Sequence, residues 1–258
     1  MENQHTLYGG SVELSMNKNH VYYASIDGAK KQHVPNVTTL LNQKDKSRAL
    51  MFWQQRCIKE AFEQRFPVGQ TFKFDEIQRN RAIETITTAA DKESKQARDI
   101  GTLVHNYAEV RLNGGTINIP SHPEAANACR AFNNWLTDFD VKPKMIERMC
   151  FSKRHNYCGT FDLYGSVNGV NTLVDFKTSK QIYSETFLQL SAYKEALEEE
   201  MGIEIAKRAS LRCDKSDGSY EYLIFPDQHE RDFMTFESLM TLYRFDKIAS
   251  KELREIAA

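Results

Sequence analysis

Asp162 closes the run G-T-F-D at 159–162, and Asp175 and Lys177 flank Phe176 in a second β-type run, D-F-K. Asn168 and Gly169 stand between the runs as a tight turn, so the two segments read as antiparallel neighbours. Side chains alternate along a strand. Asp175 and Lys177 are therefore expected on one face, with Val174 and Phe176 on the other. On the preceding strand Thr160, Asp162 and Tyr164 are expected to share a face. Two carboxylates at that separation repel unless positive charge lies between them. Oxygen ligands with open positions suit Mg²⁺ or Mn²⁺, one ion or two. Lys177 would add a point charge that orients water or stabilises charge on a phosphate. By itself, an Asp-x-Lys on a sheet is also an ordinary ion pair.

Two helical segments offer company for these groups. Gln189 and Tyr193 are four residues apart on one face, one turn after Glu185. Phe187, Leu190 and Leu197 form the apolar side that would pack on the sheet. Upstream, the spacing of His105 and Glu109 puts both on one helix face. His105 is a candidate metal ligand, with Glu109 orienting it.

The elements that would position these groups follow from period and punctuation. Residues 11–16 and 21–26 flank Asn17-Lys18-Asn19 as a hairpin. Asn36 is a candidate helix cap. Residues 47–66 read as a helix carrying Leu50, Trp53, Cys57, Ile58 and Ala61, stopped by Pro67 and Gly69. Residues 75–100 read as a polar helix, continued or restarted over 101–112. Another helix spans 124–139. The pattern then changes to strands at 144–151, 159–167 and 171–176, a helix at 184–201, strands at 205–212 and 220–225, and a last helix from 230. The expected fold class is α/β. It comprises a mixed β-sheet core flanked by helices (141–258), a helical block before it (35–140) and an N-terminal β-hairpin (1–34), together one domain.

The chain has 258 residues, 41% of them hydrophobic, enough for one good-sized core. No apolar run approaches the ~18 residues of a membrane span. The first twenty residues lack a basic start followed by an apolar block, so a secretory signal is not expected. The five cysteines, Cys57, Cys129, Cys150, Cys158 and Cys213, are scattered with no C-x-x-C pair. They suit free thiols in a reducing, cytoplasmic setting. Net charge is −1. A protein that merely coats nucleic acid is usually basic, so any positive surface must be local. Arg48, Arg56 and Lys59, interleaved with Phe52, Trp53 and Phe62, are candidates to track a backbone and stack bases. Glu60 and Glu63 intervene, and a solvated mixed face has the same composition.

In order along the chain, G-T-x-x-H-x-x-x-E at 101–109, Glu147 on a strand, G-T-F-D, D-F-K-T ending at Thr178, and Q-x-x-x-Y at 189–193 resemble the PD-(D/E)XK nuclease superfamily. The resemblance is to its RecB-like exonuclease branch. P-N-V-T-T-L-L at 35–41, followed by Trp53, looks like the phage and mitochondrial genome-maintenance exonucleases of that branch. The resemblance covers about 35–193 and implies a restriction-endonuclease-like core and a metal-dependent phosphodiesterase. It implies metal binding by His105, Asp162, Asp175 and the carbonyl of Phe176, with Lys177 positioning or activating water. Gln189, Tyr193 and Thr178 would lie at the DNA-facing edge, and Glu147 would be an auxiliary acid. Some relatives hold an iron–sulfur cluster through cysteines after the Q-x-x-x-Y helix. Only Cys213 lies there in this chain, so no cluster is expected. The sequence contains no Walker-type G-x-x-x-x-G-K-[ST], so no ATP motor is expected. The function expected is a DNA exonuclease acting on single-stranded or end-accessible DNA in phage or bacterial processing, recombination or repair. A single-strand-binding or recombination protein is a partner that this function would use, and no membrane partner is expected. A structure-specific or restriction-like endonuclease is the alternative within the class. A non-catalytic DNA-binding recombination partner is the alternative outside it.

Overall fold

The computed structural model describes residues 3–256. Its centre is a five-stranded sheet in the order β5 (Val141–Ser152), β6 (Tyr157–Val167), β7 (Val170–Lys177), β8 (Lys207–Cys213), β9 (Tyr220–Ile224). The β7–β8 pair is parallel and the other three pairs are antiparallel. A parallel pair needs a crossover, and α6 (Glu185–Met201) supplies it. Gly202, at φ +62°, ends α6 in the left-handed conformation that a glycine accepts at no cost. Asn168 and Gly169 both have positive φ in the β6–β7 turn, as a two-residue hairpin requires.

Helices flank this sheet. Tyr157, Phe161 and Leu173 enter a core with α6 and α7 (His229–Ile256). Phe176, of opposite parity to Leu173 on β7, packs instead on Phe132 and Trp135 of α5 (Pro123–Asp138). The fold is therefore α/β with a mixed sheet between helices. Between β8 and α7 a buried ion pair links Arg208 Nη2 to Asp232 Oδ2 at 2.8 Å. Removing one member of such a pair strands the other charge in a poor solvent. Asp232→Ala is expected to cost about 3–5 kcal/mol in urea denaturation. A loss below about 1 kcal/mol would mean that water reaches Arg208 after all.

The N-terminal hairpin expected from sequence is the middle of a larger sheet. Strands β1 (Asn3–Leu7), β2 (Val12–Met16), β3 (Tyr22–Ile26) and β4 (Gln32–Val34) pair antiparallel in chain order. The outer two are polar in all but their last residue, Leu7 or Val34, and carry little period-2 signal. Asn17 Oδ1 accepts from the amides of Asn19 and Val21 and shapes the central turn. Leu7, Val12, Leu14, Tyr22, Ala24 and Val34 form one face, packed on Met149, Phe151 and Cys158 of β5 and β6. Next comes α1 (Val37–Leu41), capped as expected by Asn36, whose side chain accepts from Thr39 N at 2.7 Å.

The chain falls into two compact units, 45–102 by itself and the rest together. The helical stretch 35–140 is thus divided. Its 35–44 and 103–140 parts go with the sheets. The smaller unit holds α2 (Ser47–Arg65), α3 (Glu76–Thr87) and the first half of α4 (Ala89–Leu112). Asp75 and Gln78 form a capping box at the start of α3. The helix break falls at Thr88, not at Gly101. Thr87 and Thr88 turn their hydroxyls onto the carbonyls of Ile83 and Glu84, which competes with helix continuation. Trp53 is half-buried, while Leu50 and Ile58 are exposed, so the apolar spacing of α2 does not mark a fully buried face. Among the described residues no helix is long and apolar enough to cross a membrane.

Candidate metal centre

Asp162 sits where two ladders lapse. The β6–β7 pairing ends at Leu163 opposite Val174, so Asp162 and Asp175, next in register, lie just beyond it. On the other side, the β5–β6 pairing skips Glu147 opposite Asp162, although Ile146–Leu163 and Arg148–Phe161 pair on either side. Glu147 has φ +45°, a left-handed conformation that costs a non-glycine residue about 1–3 kcal/mol. The strict alternation expected for β6 breaks at the same place. Phe161 and Tyr164, of opposite parity, both enter the core under α6 and α7. Tyr164 therefore does not share a face with Asp162.

Three side chains converge at this irregularity. His105 of α4 has Nδ1 3.1 Å from Glu147 Oε1 and 3.5 Å from Asp162 Oδ1. Asp162 Oδ2 accepts the amide of Phe176 at 2.6 Å, a donor that the ended ladder leaves free. One ligand atom from each of His105, Glu147 and Asp162 lies within 4.8 Å of the other two. Beside them, Lys177 Nζ donates to Asp175 Oδ1 at 2.7 Å and to Gln189 Oε1 at 3.1 Å. Gln189 Nε2 in turn donates to the Tyr193 hydroxyl at 3.4 Å. Ser210 of β8 donates to the Asp175 carbonyl at 3.2 Å.

The electrostatics are those of anions short of cations. Burial raises the carboxyls of both Asp162 and Asp175, the latter to about 6. The Asp162 carboxylate, reinforced by Glu147, lifts the His105 imidazole to about 9 against the opposing effect of burial. Burial also opposes the Lys177 ammonium, but Asp175 and Asp162 outweigh it and hold the charge on. A hard divalent cation fits this donor set. It would supply the positive charge that the imidazolium provides here, and His105, Glu147 and Asp162 each offer it one ligand atom, with Asp175 beside them tied to Lys177.

No protein-family model matches the chain, and no curated protein matches its sequence.

Of the residues singled out in the sequence, His105 and Asp162 make one contact set with Glu147, and Asp175, Lys177, Gln189 and Tyr193 make a second; the two adjoin at Phe176, whose amide binds Asp162. Glu147, expected as an auxiliary acid, touches His105 directly. Counting back across the β5–β6 turn places it opposite Asp162, a signal available in the sequence. Glu109 does not orient His105. It is exposed, and the imidazole turns to the stronger field of the two sheet carboxylates. Phe176 contributes its amide to Asp162 and its ring to the aromatic core. Thr178 is half-buried just past the strand. In the smaller unit Arg48 lies over the Phe52 ring, while Arg56 and Lys59 face Glu60 and Glu63 at 3.7 Å. Those exposed pairs offset much of the charge expected to track a nucleic-acid backbone.

Gly159 has a role that the sequence did not disclose. A Cβ there would stand 2.6 Å from Tyr193 Cε1. The missing side chain lets Tyr193 close over β6 and hold Gln189, which in turn holds Lys177. Gly159→Ala is expected to destabilise the chain by about 1–3 kcal/mol in thermal denaturation through overpacking. An unchanged melting temperature would show that Tyr193 swings aside freely.

Proposed function

We propose that the chain is a Mg²⁺- or Mn²⁺-dependent DNA exonuclease with a restriction-endonuclease-like core, hydrolysing phosphodiester bonds at ends or on single strands. The observation that supports this most is the meeting of Asp162, Asp175 and Lys177 with His105 and Glu147 at a break in the sheet. The ordered motifs that resemble the RecB-like branch agree with it. Five free, buried cysteines suit a reducing cytoplasm.

His105, Glu147, Asp162 and Asp175 would hold the cation, with the Phe176 carbonyl added by resemblance. The cation would polarise the phosphate and lower the pKa of a bound water. In the reaction a water oxygen bonds to phosphorus, one bridging P–O bond breaks, and the departing oxygen takes a proton. Lys177 would act in this as a donor and a fixed charge, the protonated form that Asp175 and Asp162 favour in the metal-free chain. Asp175 and Gln189 aim the ammonium, and Tyr193 fixes Gln189.

End-labelled single- and double-stranded DNA, incubated with Mg²⁺ or Mn²⁺ and with EDTA as control, tests the reading. Stepwise loss of label from linear DNA, with circular single strands intact, is the expected result. Cutting of circles would select the endonuclease alternative. The absence of any metal-dependent hydrolysis would leave a non-catalytic nucleic-acid binder.

A further inference from the structure

Asp162 is held loosely by its own sheet. The ladder to β7 ends one residue after it, and the ladder to β5 skips it. The Phe176 amide fixes one carboxylate oxygen, but that contact orients the group only if the β6 backbone is itself held. The N-terminal sheet reaches β6 at this point. Tyr22 of β3 sets its hydroxyl 3.0 Å from Thr160 Oγ1, two residues before Asp162. A second tie lies two residues further back, where Cys158 N donates to the Pro35 carbonyl at 3.1 Å. Asn36 bridges to Cys158 beside it.

Tyr22 is well seated for such a task. Its ring is buried among Leu14, Ala24, Val34 and Met149, so the hydroxyl is delivered from a rigid base. Burial pushes the phenol up to about 12, so it stays a neutral hydroxyl at any working pH. Thr160, by contrast, is only half-buried. Without Tyr22 its hydroxyl could turn to water, and the strand segment carrying Asp162 would lose its side-chain tie nearest that residue, leaving the Cys158 thiol contacts with the Val34 and Pro35 carbonyls further back.

We infer that Tyr22 is a positioning residue that acts through Thr160 to hold the Asp162 carboxylate, making the N-terminal sheet a working part of the metal centre. The link to the ion rests on the function proposed above; the link to Asp162 does not. Tyr22→Phe keeps the ring and removes only the hydroxyl. In the metal-free protein, hydrogen exchange at the Phe176 amide is expected to quicken by about fivefold, the worth of one hydrogen bond. Amides elsewhere in β7 should keep their rates. Mn²⁺ affinity by calorimetry should fall by a similar factor. Thr160→Val should reproduce both changes, and the double variant should add nothing to either single one. Unchanged protection at Phe176 overturns the inference. So does unchanged Mn²⁺ affinity in a parent that binds the ion, or full additivity in the double variant. A parent that binds no Mn²⁺ sinks the metal-centre reading instead, and the exchange result still decides the role of Tyr22.

Discussion

Lys177→Met is expected to lower metal-dependent cleavage on the order of 10³-fold while leaving the chain folded, since one preorganised donor to developing charge is worth about that much. Methionine fills the space of the stem but loses the bonds to Asp175 and Gln189. Two consequences can be separated. The first is direct: no ammonium faces the phosphate or its water. The second passes through Asp175. Its carboxyl already titrates near 6 because burial opposes ionisation, and Lys177 is the largest influence holding it down. Without the lysine that carboxyl moves higher and is more often protonated at neutral pH, where a protonated acid is a poor ligand. Rates measured at pH 7 and 9, relative to the parent, at a fixed Mn²⁺ concentration below saturation divide the two. Recovery at pH 9 reports the Asp175 part, and a deficit that persists reports the direct part. A variant within tenfold of the parent at both pH values would remove Lys177 from the mechanism.

Legibility in the sequence tracked how local the determining interaction was. Asp162 and Asp175 could be brought together on paper because a two-residue Asn168-Gly169 turn joins their strands, and such a turn sets register at short range. Helix α6 was legible for a similar reason, its apolar spacing and its terminal Gly202 both lying within the segment. His105 and Glu147, 42 residues apart, meet only in three dimensions. Helical spacing therefore suggested Glu109 as the orienting partner. Spacing on one helix finds neighbours on that helix, but it is silent about a sheet that brings two carboxylates to the same imidazole. The left-handed Glu147 was hidden too, because nothing in a Glu flanked by Ile146 and Arg148 announces a break in alternation. The conformation is imposed by tertiary context, and strain of this kind gathers where a site needs a side chain aimed away from its regular direction. The outer strands of the N-terminal sheet went unread because their pairing is mostly backbone, with polar side chains that leave weak periodicity. Tyr22 lies on a strand that was legible, but its contact with Thr160, 138 residues away, is tertiary and nothing within its hairpin announces it.

Mn²⁺ binding is expected to strengthen by about tenfold per pH unit between pH 6 and 9, and more steeply below 6. The sign follows from which state holds the protons. In the metal-free chain the His105 imidazole titrates near 9, so it is protonated at neutral pH, and Asp175 joins it below about 6. Each must lose its proton to serve as a ligand. Binding therefore releases protons, and affinity falls as pH falls through each value. At pH 7.5 about one proton should leave, from His105. Near pH 5 the number should approach two or exceed it, because Asp162 is also raised by burial. Calorimetry in buffers of different ionisation enthalpy counts these protons directly. His105→Gln should abolish the upper limb of the profile and leave the lower one. If the parent released no proton at pH 7.5, His105 would be keeping its charge in the complex. It would then be a counter-ion to Asp162 and Glu147, and the cation would have to sit on carboxylates alone.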